Sequence, residues 1–465
     1  IGPSTPAMPV ALAGGAAVTF TWTHVGGVPG TYILTSTAFG TDQNDGSARS
    51  SGPAVAGTVT VQNSGALVAS SSAPVTVSFG QEIAVRLTVT NAGGSNVTGI
   101  SATVYVNPGS ASIAAVSWPL NSLMLPAGSA TTFEWRYAAI SSGTVSFTMT
   151  AAGLTCGAVP MVVSRTVTAT VQIPAALGAA VAMLPAQVSV GQAFLVTVTV
   201  TNTGGATATG VTAAPLLETG AGVTPVGGPW PAGPVTLGGA ASVTFTWTFS
   251  AASAGTAIFT ATATGTDANT AAALTSGPVS VSGLVQMPAA LDIAAVLFPA
   301  SVGQGQALWL TVTVTNIGQA AATVVVPATP AVWGSGSVVA GAGPWPAAPV
   351  TVAGGSAVTF TWTYVGGAVG SAGLTTTVTG LDGNADWVLA SGPISAGPVT
   401  VTPAADLVSA TATSPLPVSV GQWITVAFPV TNEGGTAANG VTPGLANAST
   451  AVLTLVTGPV PAGPL

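Results

Sequence analysis

Short stretches in which apolar and polar residues alternate recur along the whole chain. Residues 194–200 read Phe-Leu-Val-Thr-Val-Thr-Val, and residues 243–249 read Val-Thr-Phe-Thr-Trp-Thr-Phe. This two-residue period places alternate side chains on opposite faces of an extended strand. The alanine-rich stretch Ala175–Met183 is a helix candidate, but Gly178 and the flanking prolines favour an extended segment. The pattern predicts an all-β protein built from short strands.

Two independent sequence markers repeat about every 110 residues, which is the size of a β-sandwich domain. The first marker is a Gly-Gln pair followed, eleven residues after the glycine, by an asparagine that ends a Val/Thr strand. We expect these asparagines to form side-chain turns: Asn91, Asn202, Asn316 and Asn432. The second marker is Phe-x-Trp, whose aromatic residues we expect in the core: Phe20, Trp22, Phe133, Trp135, Phe245, Trp247, Phe360 and Trp362.

The repeats predict tandem immunoglobulin-like β-sandwiches with a half-module at each end. The predicted boundaries are 1–62 for the second half of a module, 63–172, 173–284 and 285–402 for complete modules, and 403–465 for a first half. A half-sandwich exposes strand edges and an apolar face. Either the sequence is cut from a longer repetitive chain, or the half-module of one copy completes that of the next.

Composition removes most enzymatic and nucleic-acid functions. Only 3% of residues are charged, with four Lys plus Arg in total, one histidine and one cysteine, and the net charge is −7. Such a chain lacks the usual acid, base and nucleophile sets and the positive charge that binds phosphates. We expect no catalytic residues and no cofactor. His24 stands where other repeats carry an aromatic residue and is predicted to face inward, and Cys156 has no disulfide partner.

Two further sets of residues are candidates for binding. Oxygen ligands alternate in two loops and make a weak calcium candidate, although Asx turns explain the same spacing: Asp42, Asn44, Asp45, Asp382, Asn384 and Asp386. The second set, Trp118, Trp230 and Trp345, lies beside prolines in loops. Trp230 and Trp345, which prolines flank on both sides, are interpreted as plugs at the ends of their own sandwiches, with sugar-stacking platforms as the alternative.

Several segments resemble CARDB-type modules, the cell-adhesion-related immunoglobulin-like repeats of bacterial and archaeal surface proteins. The resemblance lies in Pro403-Ala-Ala-Asp-Leu407, residues 416–422 and Val430-Thr-Asn-Glu-Gly434, with counterparts around Gly191 and Gly305. It covers nearly the whole chain as repeats. It implies seven-stranded sandwiches that act as spacer, adhesion or assembly modules outside the cell, without catalytic residues.

Two functional hypotheses follow from these patterns. The first is a structural subunit of an extracellular filament, sheath or surface layer that joins head to tail with copies of itself. The second is an adhesin stalk or carbohydrate-binding region of a secreted surface protein. Glycans could attach at Asn96 and Asn447, which begin Asn-x-Thr and Asn-x-Ser sequences. No stretch reaches the length of apolar residues that a membrane span needs, so no membrane span is expected. No nucleic-acid partner is expected either, because the chain has few positive charges and a net charge of −7.

Overall fold

The computed structural model of the chain describes residues 5–107, 109–120, 123–213, 217–410, 417–427, 429–444, 454 and 456–458. All regular elements in these residues are β-strands. None of the described segments forms a helix that is long and apolar enough to cross a membrane. The predicted all-β class is confirmed.

The strands fall into three consecutive modules with a shorter segment on each side. The segment before the first module contains β1 Gly30–Ser36, β2 Phe39–Thr41, β3 Ala48–Ser50 and β4 Ala54–Val61. The first module contains β5 Leu67–Ser72, β6 Thr76–Ser78, β7 Glu82–Asn91, β8 Val97–Asn107, β9 Ile113–Ser117, β10 Leu123–Leu125, β11 Ala130–Ala139, β12 Gly143–Leu154 and β13 Pro160–Gln172.

The second module repeats this order with one additional short strand. It contains β14 Leu177–Leu184, β15 Gln187–Ser189, β16 Ala193–Asn202, β17 Ala208–Ala213, β18 Leu217–Gly220, β19 Val223–Trp230, β20 Val235–Leu237, β21 Ser242–Ala251, β22 Gly255–Asp267 and β23 Ala273–Gln286. The boundary predicted at residue 284 falls inside β23, which continues to Gln286.

The third module begins with β24 Leu291–Phe298, β25 Ser301–Gly303, β26 Ala307–Asn316, β27 Ala322–Pro327, β28 Ala331–Gly334 and β29 Val338–Ala340. It continues with β30 Val350–Val352, β31 Ala357–Gly366, β32 Gly370–Thr376, β33 Val378–Asp382, β34 Val388–Ala390 and β35 Ile394–Thr402. The following segment contains β36 Leu407–Ser409 and β37 Val430–Asn432.

The first two modules are sandwiches of two mainly antiparallel sheets, and in the third module the second layer is divided into the sheets β25-β35-β32-β28 and β30-β27-β33-β34. In the first module one sheet has the order β5-β7-β11-β9 and the other β10-β8-β12-β13-β6. In immunoglobulin lettering these are sheets A-B-E-D and C-F-G, with a short first-strand extension, β6, pairing parallel to the last strand. The second and third modules repeat the first sheet as β14-β16-β21-β19 and β24-β26-β31-β29. Tandem immunoglobulin-like sandwiches are therefore the architecture of the chain.

Three separate cores lie between the paired sheets, and their side chains come from the alternating strands. In β7 every second residue from Ile83 to Val89 is fully buried. Opposite β7, Trp135 pairs with Val85, and in the other modules Trp247 pairs with Val196 and Trp362 with Leu310. Because the Phe-x-Trp strand meets the Gly-Gln strand in one register in all three modules, their cores are built in the same way.

The segments outside the three modules leave apolar side chains uncovered. Strands β1–β4 pair only among themselves, and β36 pairs with β37. Trp22 is 38% exposed, whereas Trp135, Trp247 and Trp362 are at most 8% exposed. Phe20 is only half-buried. The prediction that Phe20 and Trp22 lie in a core is wrong for this structure, because none of the described residues supplies an opposing sheet there.

Candidate functional site

The repeated asparagine ends the third strand of each module (β7, β16 and β26) and ties three segments of the module together. Asn202 is completely buried. Its Oδ1 accepts hydrogen bonds from the backbone N–H of Gly204 (3.1 Å) and Ala176 (3.2 Å). Its Nδ2 donates to the carbonyls of Ala206 (2.7 Å) and Leu237 (3.2 Å). The side chain therefore closes the predicted turn and also fixes the entering strand and the loop before β21.

The other asparagines repeat this arrangement. Asn91 and Asn316 are also completely buried, and each bonds the equivalent donors and acceptors. Asn432 makes the turn to Gly434 and the bond from Asp406, but it is exposed. The predicted turn is present at all four positions. The additional contacts to the entering strand and to a distant loop were not predicted.

A second repeated turn lies at one end of the second and third modules, where β22 ends at Asp267 and β33 at Asp382. We call residues 267–272 and 382–387 the joint turns. The buried carboxylate of Asp267 accepts from the backbone N–H groups of Ala175 (2.6 Å), Asn269 (2.8 Å) and Thr270 (2.8 Å). Asp382 accepts equivalent bonds from Ala289, Asn384 and Ala385. Each aspartate thus holds its joint turn against the segment that leads into the first strand of its own module.

These hydrogen bonds set the protonation of the two aspartates. Burial by itself raises the pKa of a carboxyl group, since it disfavours the charged form. At Asp267 and Asp382 the hydrogen bonds outweigh burial, so the pKa of each carboxyl lies below its ordinary value. Both side chains are therefore carboxylates at neutral pH, and acceptors only.

The side chain of Asn269 leaves its joint turn and enters the first module. Its Nδ2 donates to Ser78 Oγ (3.1 Å) and Gln172 Oε1 (3.0 Å), and its Oδ1 accepts from Thr76 Oγ1 (3.1 Å). Its backbone carbonyl accepts from Gln81 Nε2 (2.8 Å). One asparagine therefore makes four hydrogen bonds across the boundary between the first two modules.

The second and third modules are joined by the same chemistry. Asn384 Nδ2 donates to Ser189 Oγ (3.3 Å) and Gln286 Oε1 (3.0 Å), and its carbonyl accepts from Gln192 Nε2 (3.0 Å). Ser189 Oγ also donates to Asp382 Oδ1 (2.9 Å). We call the serine and two glutamines that receive a joint turn the socket: Ser78, Gln81 and Gln172 in the first module, and Ser189, Gln192 and Gln286 in the second.

The Gly-Gln marker has a structural reason in this contact. Gln81 Oε1 accepts from the backbone N–H of Ser78 (2.6 Å), and Gln192 Oε1 accepts from that of Ser189 (2.9 Å). Each amide is thereby held with its Nε2 toward the next module. The glycine before Gln192 has φ +89°, and a Cβ there would lie 3.3 Å from the Trp387 ring of the third module. The marker therefore belongs to the joint between modules as well as to a strand start.

The aspartates and asparagines that were predicted as weak calcium candidates form hydrogen bonds within turns. The carboxylate of Asp382 already accepts from N–H and O–H donors, and the backbone carbonyl of Asn384 accepts from Gln192 Nε2. Asp386 donates its backbone N–H to Asp382 within the turn. Asp42 and Asp45 accept from the backbone N–H groups of Asn44 and Ser47 and lie 3.9 and 3.8 Å from Arg49. In the part of the chain that the structure describes, no group of three or more His, Cys, Asp or Glu residues gathers as metal ligands would.

The tryptophans beside prolines do not plug their sandwiches. Trp118, Trp230 and Trp345 are 66%, 78% and 53% exposed. Trp230 pairs with Thr246, and Trp345 exchanges two backbone hydrogen bonds with Thr361. Since Thr246 and Thr361 point outward, a residue directly opposite also points outward. The interpretation of Trp230 and Trp345 as plugs is wrong. Both side chains are exposed, as the alternative of a sugar-stacking platform requires.

The remaining candidate residues lie on the surface. His24 is exposed, which corrects the prediction that it faces inward, because the segment around it has no opposing sheet among the described residues. Cys156 is a free, exposed thiol. Asn96 is exposed, whereas Asn447 lies outside the described residues.

No family model matches the chain, and no curated protein sequence matches it. Among solved structures, the adhesin FdeC of Escherichia coli matches at 15% identity with a TM-score of 0.31, over 72% of this chain and 96% of that one. Extracellular cadherin domains 3–6 of protocadherin gamma B2 match at 10% identity with a TM-score of 0.31, over 79% and 82% of the two chains. At such low similarity neither match carries an argument about function, and the resemblance to CARDB-type modules stays a prediction.

Proposed function

We propose that this chain is a structural subunit of an extracellular filament, sheath or surface layer at the cell surface, joined head to tail with further copies of itself. The observation that carries the proposal is the joint between modules, which is built twice from the same residue types in the same geometry. A repeated, hydrogen-bonded joint holds successive modules at one spacing and orientation. Such regularity suits a load-bearing or shape-defining array and involves no catalytic step.

The uncovered segments support head-to-tail joining. Residues 1–62 carry the Phe-x-Trp half of the repeat, and residues 403–465 carry the Gly-Gln half. Apolar side chains stand exposed in both, including Trp22 and, at 85% exposure, Trp423. Each segment carries the half of the sequence repeat that the other lacks, so pairing across two copies would bury both faces. A contact of this kind is heterologous and propagates instead of closing.

The outer faces of the sheets also support an assembled state. Threonine hydroxyls pair across strands, as between Thr199 and Thr244 (2.9 Å) and between Thr313 and Thr359 (3.0 Å). With only 3% charged residues, little electrostatic repulsion opposes contact between such faces. Low charge also makes the assembly insensitive to salt, because screening acts on charges.

Electron microscopy of the purified chain, with and without residues 403–465, tests the proposal. We expect the full chain to form ordered polymers and the truncated chain to remain as dispersed rods with intact cores, since one complementary face is missing. Far-ultraviolet circular dichroism of the truncated chain checks that its modules are still folded. Truncated protein that forms fibres of unchanged width and repeat would contradict head-to-tail completion.

A carbohydrate-binding stalk is the second candidate, and the exposure of Trp118, Trp230 and Trp345 is the observation that favours it. An indole held rigidly at a sheet edge offers a flat apolar surface for the C–H face of a sugar. Binding to a panel of polysaccharides, compared between the chain and its Trp230→Ala/Trp345→Ala variant, tests this function. Retention that is lost in the variant supports it, and equal retention by both proteins contradicts it.

A further inference from the structure

A third turn of the same kind as the joint turns enters no socket within the part of the chain that the structure describes. Residues 42–47 fold as the two seated joint turns do: the Asp42 N–H donates to the Ser47 carbonyl (2.9 Å), Gly46 N–H to the Asp42 carbonyl (2.9 Å), and Asn44 N–H to Asp42 Oδ1 (2.9 Å). The same three bonds occur at Asp267 and Asp382. Asn269 and Asn384 are directed into a neighbouring module, however, whereas Asn44 is exposed.

The third module carries an equivalent of the socket, formed by Gly303, Gln306 and Thr402, which receives no joint turn from the described residues. We call it the open socket. Gln306 Oε1 accepts from the backbone N–H of Gly303 (2.8 Å), the bond that orients Gln81 and Gln192. Gln81 and Gln192 are half-buried under their joint turns, but Gln306 is exposed. Its Nε2 makes no hydrogen bond within the described part of the chain. The open socket is therefore oriented as the occupied ones are.

The open socket differs from the other two at two positions. Gly303 replaces the serine, and a Cβ there would clash with the side chain of Thr436, which lies against it. Thr402 replaces the second glutamine and donates its hydroxyl to the Val302 carbonyl (3.3 Å), so its oxygen remains able to accept. The donor to the backbone carbonyl of a joint turn and one acceptor for its amide are thus both present.

The backbone N–H of Ala405 offers a second contact beside the open socket. Asp406 N–H donates to Asn432 Oδ1, as Ala176 does to Asn202, so Ala405 corresponds to Ala175. In the seated joints the N–H at that position donates to the buried aspartate. Ala405 is exposed. Asp42 has the carboxylate that would accept from it.

We propose that the Asp42–Asn44 turn of one copy docks into the Gln306 socket of a second copy, with Asn44 meeting Gln306 and Thr402 and Asp42 meeting the Ala405 N–H. This contact rests on the proposed head-to-tail assembly and specifies its register. In a module formed by residues 403–465 of one copy and residues 1–62 of another, the Asp42–Asn44 turn would lie against the third module of the first copy. Asn269 and Asn384 occupy the equivalent position between two modules of one chain. The contact between copies then repeats the contact between modules.

Cysteine pairing in the full-length chain tests the contact. In a Cys156→Ser background, one protein carries Asn44→Cys and the other Gln306→Cys, and the two are mixed and oxidised. The matched control replaces Gln306→Cys by Gln192→Cys, whose socket is filled by the chain's own Asn384. We expect a covalent pair from positions 44 and 306 and none from 44 and 192. Equal pairing of both combinations overturns the inference, as does a double variant that cross-links within single copies.

Assembly of Asn44→Ala gives a second, independent readout. Losing the amide, whose acceptor in the open socket is Thr402, should raise the concentration for half-assembly by about fivefold, the equivalent of about 1 kcal/mol. Gln43→Ala, one residue earlier in the same turn, should assemble like the unmodified chain. Unmodified chain that polymerises without selective pairing at 44 and 306 overturns this contact and leaves the proposed function standing. Unmodified chain that stays monomeric overturns both.

Discussion

A buried asparagine is tolerated in these modules because every polar atom of its side chain has a partner. Asn202 accepts two hydrogen bonds and donates to carbonyls from two separate loops. Glycine is required two residues later, since a Cβ on Gly204 would overlap the Pro174 carbonyl. A neutral amide can satisfy both N–H and C=O groups, which a carboxylate or an ammonium cannot. The turn at the asparagine is thus closed without a charged side chain.

Replacing Asn202 by alanine should destabilise the second module by about 3 to 5 kcal/mol. The change removes the hydrogen bonds to the N–H groups of Gly204 and Ala176 and to the carbonyls of Ala206 and Leu237, and each buried group left unsatisfied costs about 1 to 3 kcal/mol before relaxation. Asn432→Ala is the matched control, because Asn432 occupies the same motif but is exposed. Urea denaturation measures both. Equal losses in the two variants would show that burial of the amide does not matter.

Acid should weaken the joint at Asp382. The pKa of this carboxyl is lowered from 3.8 in the folded chain, so below that value the unfolded chain binds more protons. The stability contributed by Asp382 is therefore fully present above pH 4 to 5 and lost as the pH falls through the lowered pKa. Asp382→Asn should remove this acid dependence and cost about 1 to 3 kcal/mol at neutral pH, since an amide N–H₂ would face donors.

Circular dichroism followed from pH 7 to pH 2 at a fixed urea concentration measures this effect. Asp292→Asn is the control, because Asp292 is exposed and accepts only a local bond from the N–H of Ile293. The control should keep the acid transition of the unmodified chain. An Asp382→Asn variant with an unchanged transition would mean that other groups set the acid sensitivity.

At the scale of strands, alternation of residues predicted which side chains are buried wherever two sheets face each other. A strand's two-residue period fixes the face of every side chain once one of them is placed. The same rule explains why Trp247 is buried and Trp230 is exposed, since Trp230 pairs with Thr246 on the outward face. The prolines beside Trp230 concealed this register in the sequence, because no alternation continues through them.

The joint was not predicted, for a different physical reason. The Gly-Gln and Asp-x-Asn motifs are both visible in the sequence, and each has a sufficient local explanation as a turn. Gln81 and Asn269 lie 188 residues apart and meet only through the relative orientation of two folded modules. The orientation of one module relative to the next depends on the contacts between them, so the residue pattern within a single module does not predict it. The one sequence feature that could have indicated the joint is that the Gly-Gln and Asp-x-Asn motifs both recur once per module.

Trp247→Ala should destabilise the second module by about 3 to 5 kcal/mol, as large-to-small changes in a packed core do. Trp22→Ala should have little effect on the unassembled chain, because Trp22 is 38% exposed. Thermal unfolding of the two variants measures the contrast. In assembled protein, the head-to-tail proposal requires Trp22→Ala to weaken polymers. A large loss at Trp22 in dispersed chains would show that the segment is already covered.

At the scale of the whole molecule, stiffness depends on a few neutral side chains at each boundary. The covalent connection between β13 and β14 is short, running from Gln172 to Leu177, and a short linker limits the separation of modules without fixing their angle. Asn269 and Asn384 add directional hydrogen bonds from a folded turn to a folded socket. Because the partners on both sides are held by their own backbone bonds, little conformational freedom remains to be lost on docking.

The Asn269→Ala/Asn384→Ala variant should therefore keep three folded modules but lose their fixed alignment. The substitutions remove the amide contacts with each socket, a loss of about 2 to 3 kcal/mol per joint. The bonds to backbone carbonyls remain, as does the bond from Ser189 Oγ to Asp382 Oδ1 in the second joint. Small-angle scattering should show a broader distribution of end-to-end distances, while tryptophan fluorescence of the cores stays unchanged. Asn96→Ala, an exposed asparagine away from both joints, should scatter like the unmodified chain. A double variant with an unaltered distribution would show that the linkers alone set the angle, and an array built from such modules would then need lateral contacts to become regular.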